Sequence, residues 1–535
     1  MSKYIFVTGG VVSSLGKGIT AASLGRLLIE RGLRVTIQKL DPYINVDPGN
    51  MNPTQHGEVF VTEDGMETDL DIGHYERFLD RNFDKNCNYT SGKIYSNIIA
   101  KERAGEYGGS TIQVVPHVTS EIKNCMRNCS SPDIDVVIVE IGGTVGDMES
   151  MAHLEAIRQF ERELKEDNYC HIHCTLVPYL RVAGEVKTKP TQHSVRDLTS
   201  IGLNPDFIVC RMEKDIELTM QNKKKIAMFC NLESAEYVIE NPDCDSIYEV
   251  PLVLHKQGLD TLVCNKLKLE SKPISLTKWQ DMVTLFMSEL PTVNIAIVGK
   301  YTEVMDSYIS VIESIKHASL NNKYRAKISI VSSEDIEMMG AKDILKNFDG
   351  VIVPGGFGVG GIEGKISTAE YCRENKVPFL GIALGMQISI IEFARNVAGL
   401  KSANSTEFDA DTIYPVIDVM EEQKKIKNGA MRLGNYACHL KDDSLVRRLY
   451  GMPDIQERHR NGYEFNNEYR DTFEDLGMVF SGVNTEHDLV EVIEYADHPY
   501  FVATQYHPEF KSRPNRPHPL FVGLIRQAIA TKKKI

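Results

Sequence analysis

The stretch Thr8-Gly9-Gly10-Val11-Val12-Ser13-Ser14-Leu15-Gly16-Lys17-Gly18 decides the reading of the fold. Before it lies an apolar run, Tyr4 to Val7, with the character of a buried strand. After it a helical pattern runs from Gly18 to Arg31, with Ala22, Leu27 and Leu28 among its apolar positions and Gly32 as a stop. A glycine loop between a strand and a helix is built to hold an anion. The glycines let the backbone wrap it, and the helix N-terminus aims N–H groups at it. Lys17 adds a positive charge for phosphates. The spacing departs from the common phosphate loop: five residues separate Gly10 from Gly16, and Gly18 stands where Ser or Thr usually holds Mg²⁺. That oxygen must come from elsewhere, from Ser14 or a carboxylate.

Outward from this loop the same alternation continues. Arg34 to Lys39 and Asp135 to Glu140 read as strands, and Leu154, Ile157, Phe160 and Leu164 recur at near-helical spacing. Strand–helix–strand order predicts a parallel sheet with helices on both faces. The polar stretch KLKLESKPISLTKWQ then breaks the pattern between Lys266 and Pro291. A new α/β series begins at Val293 to Val298 and continues at Gly350 to Val353, Val377 to Leu380 and Phe501 to Gln505. The expected fold class is α/β with two doubly wound domains, 1–268 and 293–535. The linker 269–292 carries a helix from Trp279 to Leu290. Lys532 to Lys534 reads as a solvated tail.

The 535 residues allow sizeable cores, and 42% hydrophobic with 25% charged residues is ordinary for a globular chain. A net charge of −14 gives no basic footprint for nucleic acid. A small nucleotide needs only a local cluster of donors. No apolar run is long enough to span a bilayer, and the N-terminus lacks the regions of a signal peptide. Eleven scattered cysteines without C-x-x-C spacing read as reduced thiols, which places the chain in the cytoplasm.

Two groups of acids are candidates for a metal. Glu67, Asp69 and Asp71 crowd one segment, and Glu140 ends a buried strand before Gly142-Gly143-Thr144. A carboxylate at the C-terminal edge of a parallel strand faces the ligand crevice of such sheets. Mg²⁺ takes one or two carboxylates and completes its shell with phosphates and water.

TGGVVSSLGKG, KLDPYINVDPG, QHGEVFVTEDGMETDLDIGHYERF, EIGGTVGDMES and KTKPTQHSV occur in this order at spacings that resemble CTP synthase, over about residues 1 to 530. The resemblance implies a phosphate-loop synthetase domain, similar to dethiobiotin synthetase, followed by a class I glutamine amidotransferase domain. It implies that ATP phosphorylates O4 of UTP, that ammonia attacks C4, and that phosphate leaves. By the same resemblance Ser14, Leu15, Gly16, Lys17, Gly18, Ile19 and Arg211 bind ATP, and Lys17 and Lys39 sit on the transferring phosphate. Asp71 and Glu140 hold Mg²⁺. Ser13, Asp147, Glu149, Lys187, Lys189, Gln192 and Lys225 bind UTP, and Pro53, His56 and Val59 form a gate for ammonia. The resemblance also implies a homotetramer and, in some settings, filaments.

The second half resembles its family with three departures. Pro354-Gly355-Gly356-Phe357-Gly358 matches the oxyanion loop, and Gln505-Tyr506-His507-Pro508-Glu509 carries the histidine and glutamate of the family's triad. Gly355, Phe357, Leu384, Gln387 and Glu407 match the glutamine site. Yet Gly381-Ile382-Ala383-Leu384-Gly385 puts alanine where G-x-C-x-G has its nucleophile. Gly462 stands where an arginine clamps the carboxylate of glutamine, and Val359-Gly360-Gly361 lacks the arginine linked to activation by GTP. Cys372 sits eleven residues before Ala383 in a predicted helix and is no substitute. Three losses serving one reaction point to natural decay rather than to a single engineered substitution.

Three readings follow. The first is a CTP synthase using free ammonia. The second is a ligase joining another amine, such as an amino acid, to C4 of UTP. The third is an engineered glutaminase-dead enzyme or a non-catalytic filament partner. The retained nucleotide and gate motifs favour the first.

Overall fold

The computed structural model describes residues 2–419 and 431–533, so Lys534 of the expected basic tail lies outside the described residues. The chain divides into two units. One comprises residues 1–48 and 71–287, and the other comprises residues 49–70 and 288–535.

The first unit is built on a seven-stranded sheet. In chain order its strands are β1 (Lys3–Gly9), β2 (Val35–Asp41), β3 (Asn88–Thr90), β4 (Val136–Ile141), β5 (Tyr169–Leu176), β6 (Phe207–Met212) and β7 (Val238–Pro242). In space they run β7-β6-β5-β1-β4-β2-β3, and every pairing is parallel. All seven residues of β2 and all six of β4 are buried, as strands covered on both faces must be. The chain reverses its direction of winding around β1, and such a switch point opens a crevice at the C-terminal ends of the strands.

The helix Lys17–Glu30 begins one residue before the expected Gly18 and buries its apolar face, including Leu24, Leu27 and Leu28. The expected linker helix spans Thr277–Met287, ending three residues before Leu290. It packs within the first unit rather than bridging. Trp279 donates its indole N–H to the Tyr248 carbonyl at 2.8 Å and lies 5.7 Å from the Phe78 ring. Before it, the Lys272 N–H donates to the Arg31 carbonyl at 2.9 Å, so this stretch also lies along the first unit. Trp279→Ala is expected to destabilise this unit by about 3–5 kcal/mol, because a large buried aromatic leaves a cavity. Denaturant unfolding checks it, and a loss below about 1 kcal/mol would contradict the packing described.

The second unit holds a nine-stranded mixed sheet. Its strands are β8 (Thr292–Gly299), β9 (Arg325–Ser332), β10 (Gly350–Val353), β11 (Phe379–Ile382), β12 (Arg432–Leu440), β13 (Asp454–Asn461), β14 (Met478–Asn484), β15 (Leu489–Tyr495) and β16 (Phe501–Thr504). The order is β9-β8-β10-β11-β16-β15-β14-β12-β13, parallel through β16 and antiparallel beyond it. β11 starts two residues later than the expected Val377. The Val377 N–H closes the preceding helix on the Cys372 carbonyl at 3.0 Å, and the ladder opens at Phe379, whose N–H donates to the Tyr500 carbonyl at 2.8 Å.

Residues 49–70 were expected within the first domain, but they pack on the second unit. Arg458 and Arg460 stand two apart on β13, so their side chains share a face of the strand. Arg458 donates to the Val61 carbonyl at 3.0 Å, and Arg460 donates to Glu67 Oε1 at 2.7 Å and to the Gly49 carbonyl at 2.8 Å. Gly434, at φ +88°, allows the close approach: a Cβ there would lie 2.5 Å from the Gly65 nitrogen. Lys532 is no free tail either, since its ammonium pairs with Asp349 at 3.1 Å.

Candidate functional site

In the first unit the phosphate-loop candidate sits between β1 and the helix Lys17–Glu30. Val11, Ser14 and Gly16 take positive φ values of 80°, 54° and 84°. These turn the loop back on itself, and Gly16 caps the helix in the left-handed conformation. Ser13 and Ser14 are exposed, while Leu15 packs inward and Ile19 is half-buried. Lys17 Nζ donates to the Gly143 carbonyl at 2.7 Å. Gly143 belongs to the loop that follows β4. Arg211, on β6, lies beside Gly16 and pairs with Asp243 at 2.5 Å.

Register explains the next cluster. Lys39 on β2 is the direct partner of Glu140 on β4. Lys39 pairs with Asp71, the first residue of the helix Asp71–Leu79, and the Tyr75 hydroxyl donates to Glu140. Asp71 also faces Gly18, where a Cβ would lie 2.4 Å from its Oδ1. Burial pushes the Asp71 carboxyl up, but Lys39, His74 and Lys17 outweigh it and hold the group below the ordinary carboxylate range. Glu140 goes the other way: burial and the nearby Asp71 raise it, against Lys39 and Lys17. Two carboxylates with opposed shifts thus share one site with two lysines. Among the described residues no group of three or more His, Cys, Asp or Glu is placed to hold a metal alone. Two oxygen donors beside a phosphate loop fit Mg²⁺, which completes its shell from phosphates and water.

The expected pyrimidine residues are only partly gathered. Glu185 pairs with Lys187 and is lowered by that bond and by the charges of Lys187 and Lys225, so these two lysines meet on one carboxylate. Lys189 opens the helix Lys189–Ser200, and Gln192 donates to Thr188 Oγ1 at 3.0 Å. Ser194, on the same helix, bonds His173 Nε2 at 2.8 Å and lies against Gly10, which ties this motif to the phosphate loop. Asp147 and Glu149 are exposed on the loop after β4 and, among the described residues, make no ion pair with these lysines. One residue near them escaped the sequence reading. His153 is buried in the helix that follows, both ring nitrogens lack a partner, and burial lowers it to about 4.

In the second unit one cavity collects most of the glutamine-site candidates. It is lined by Gly355, Phe357, Ala383, Leu384, Gln387, Glu407, Gly462 and His507, together with Pro53 and Val59. Ala383 joins β11 to the helix Leu384–Asn396 at φ 50°, ψ −104°. That is the strained strand-to-helix turn that exposes a nucleophile in related folds. The flanking glycines are required. A Cβ at Gly385 would lie 2.1 Å from the Val353 carbonyl oxygen, and one at Gly381 would lie 2.7 Å from that of Gly385. The turn is retained, but its side chain is a methyl group.

His507 Nδ1 bonds Glu509 Oε1 at 2.7 Å, and its ring stacks on Phe510. Glu407 accepts the Gly358 N–H at 3.0 Å, and burial raises its carboxyl. Gln387 donates to the Tyr463 carbonyl at 3.2 Å. Among the described residues, a Cβ on Gly462 would meet only Met431 Cγ, at 3.8 Å. Arg460 lines the same cavity but is committed to Glu67 and Gly49. His56 is held near Asp69 at 3.6 Å and does not line the cavity. Cys372 is fully buried in the helix Ile362–Asn375, and burial pushes its thiol up, so it offers no nucleophile. All eleven cysteines are unbridged.

Residues 3–269 match the family profile of the CTP synthase N-terminus, and residues 303–527 match that of class I glutamine amidotransferases. Over 534 residues, covering 99% of each chain, the sequence is 56% identical to the CTP synthase of Clostridium perfringens. The chain belongs to the CTP synthase family. It is accordingly an ATP-dependent carbon–nitrogen ligase. The CTP synthase of Clostridium acetobutylicum is 56% identical over 536 residues and all of both chains, and that of Bacillus licheniformis is 54% identical over 538 residues. The glutaminase domain of Trypanosoma brucei CTPS with bound acivicin aligns at 34% identity and a TM-score of 0.43, covering 44% of this chain and 94% of that one. Among the described residues no helix is long and apolar enough to cross a membrane.

Proposed function

We propose that the chain converts UTP to CTP with ATP and free ammonia, and that it does not hydrolyse glutamine. The observation that carries this is Ala383. It occupies a nucleophile's turn with the turn's backbone strain intact, and a methyl group cannot attack an amide. Gly462 adds a second loss, because no guanidinium is left to fix the carboxylate of glutamine. Arg460 does not replace it, since its donors serve Glu67 and Gly49.

The first unit retains the parts that phosphoryl transfer needs, which are mostly positioning and charge neutralisation. Lys17 and the helix N-terminus hold the phosphates of ATP. Lys39, paired with Asp71, faces the transferring group. Arg211 flanks the loop on the ATP side, and Lys187, Lys189, Gln192 and Lys225 take the triphosphate of UTP. Asp71 and Glu140 would hold Mg²⁺, which when bound neutralises phosphate charge.

The test uses purified protein with ATP, UTP and Mg²⁺, and reads the nucleotides by mass spectrometry. CTP is expected from ammonium chloride and not from glutamine. CTP or glutamate formed at the expense of glutamine would overturn the reading.

A further inference from the structure

We infer that His173 is a positioning residue for UTP: it holds the helix Lys189–Ser200, which carries Lys189 and Gln192, in register with the phosphate loop. This rests on the assignment of Lys189 and Gln192 to UTP above, and adds the groups that fix where those two residues stand.

Strand register makes the first link. His173 on β5 is the direct partner of Thr8 on β1, the strand that feeds the phosphate loop. Its Nδ1 bonds Thr8 Oγ1 at 2.8 Å, and its Nε2 bonds Ser194 Oγ at 2.8 Å. One imidazole thus ties the root of the loop to the helix. Thr175 stands two residues further along β5, on the same face of the strand, and bonds Thr191 Oγ1 at 3.1 Å. Thr191 and Ser194 are three apart, on one face of the helix. The helix is therefore keyed to β5 by two polar links. Its other buried residues, Val195 and Leu198, are apolar, and their contacts are non-directional.

Close packing is the second, independent observation. A Cβ at Gly10 would lie 1.8 Å from Ser194 Oγ, so glycine lets the start of the loop rest on that hydroxyl. The Gly10 N–H is fixed on the carbonyl of Cys174, the residue after His173, at 3.1 Å. Thr8, His173, Thr175 and Thr191 are fully buried, and Ser194 nearly so. Burial, with the charges of His171 and Lys17, lowers His173 to about 3, so the ring stays neutral. A neutral imidazole presents one donor and one acceptor, and each hydroxyl can take either part. On its other side the Thr8 hydroxyl bonds His171 Nε2 at 2.9 Å, and His171 Nδ1 faces Glu161 at 3.1 Å. A buried, satisfied chain of this kind specifies one arrangement.

The consequence is preorganisation. Lys189 and Gln192 belong to the first turn of the same helix, so a slide or rotation at Ser194 moves them as well. Without the link the helix must be re-seated each time UTP binds. That cost falls on the affinity for UTP rather than on the chemical step.

Full-length His173→Leu, His173→Gln and Ser194→Ala are compared with the unmodified protein by calorimetric titration with UTP. CTP formation is measured alongside, at saturating ATP and ammonium chloride. Leucine keeps much of the volume and loses both polar atoms, whereas glutamine keeps a polar group for Ser194. His173→Leu and Ser194→Ala are expected to raise the Kd and KM for UTP by about tenfold, with kcat held within about threefold. His173→Gln is expected to recover most of the affinity. A merely structural role would lower kcat through loss of folded protein and leave the KM unmoved, and that result overturns the inference. An unchanged Kd for UTP in both His173→Leu and Ser194→Ala also overturns it. Lys189→Ala separates the two readings. If it leaves UTP binding unchanged, the helix does not hold UTP, and the site assignment falls together with the inference. If it weakens UTP binding while the other variants do not, the inference alone falls. No CTP from ammonium removes the proposed function, and the titration still decides the inference. If His173→Leu does not fold, Ser194→Ala decides.

Discussion

Lys17→Ala is expected to lower CTP formation from ammonium by about 10³-fold or more, and Asp71→Asn by a similar factor. Lys17 stands at the first turn of a helix whose N–H groups already point into the phosphate loop, and its ammonium reaches the Gly143 carbonyl. Alanine removes the charge while the glycine-shaped loop remains. Asp71 is held ionised against its own burial by Lys39, His74 and Lys17. Asparagine there removes a ligand suited to Mg²⁺ and the nearer of two carboxylates paired with the buried Lys39. Initial rates with ammonium chloride, alongside ATP binding and melting of each variant, separate chemistry from folding. Either variant retaining more than about a tenth of the activity would remove these residues from the site.

Ala383→Cys alone is expected to leave glutamine hydrolysis at background, and the pair Ala383→Cys with Gly462→Arg to raise it measurably. The backbone at 383 already has the conformation a nucleophile needs, and His507 presents a free Nε2 to the cavity. The single change therefore supplies a thiol beside a base. It does not fix the substrate. A missing guanidinium–carboxylate pair costs about 2–5 kcal/mol, which is about 30-fold to several thousandfold in kcat/KM. Among the described residues, only Met431 lies near the Cβ an arginine at 462 would carry. Glutamate release, followed with and without UTP and ATP, measures both variants. Full glutaminase activity from Ala383→Cys alone would mean that the lost thiol was the sole lesion.

The local features of this protein were legible in its sequence because their causes are local. A glycine before a helix, an apolar run before a glycine loop, and an alanine between a strand and a helix need no distant partner to be recognised. So the two α/β series and the glycine loop between strand and helix could be read directly. The strand edges were harder. Val377 looks like the start of β11, but its N–H is spent closing the previous helix.

What only the tertiary structure decided concerns pairs far apart in the chain. Arg458 reaches Val61 across 397 residues, and through it and Arg460 the segment 49–70 joins the second unit. The same contacts commit Arg460 to Glu67 and Gly49. Register puts Lys39 beside Glu140, while burial raises the Glu140 carboxyl and the charges around Asp71 outweigh its burial and lower it. Sequence specifies which groups are present. Burial and the alignment of distant strands determine which of them remain charged, which are already paired, and which, like His507 Nε2, are left facing an open cavity.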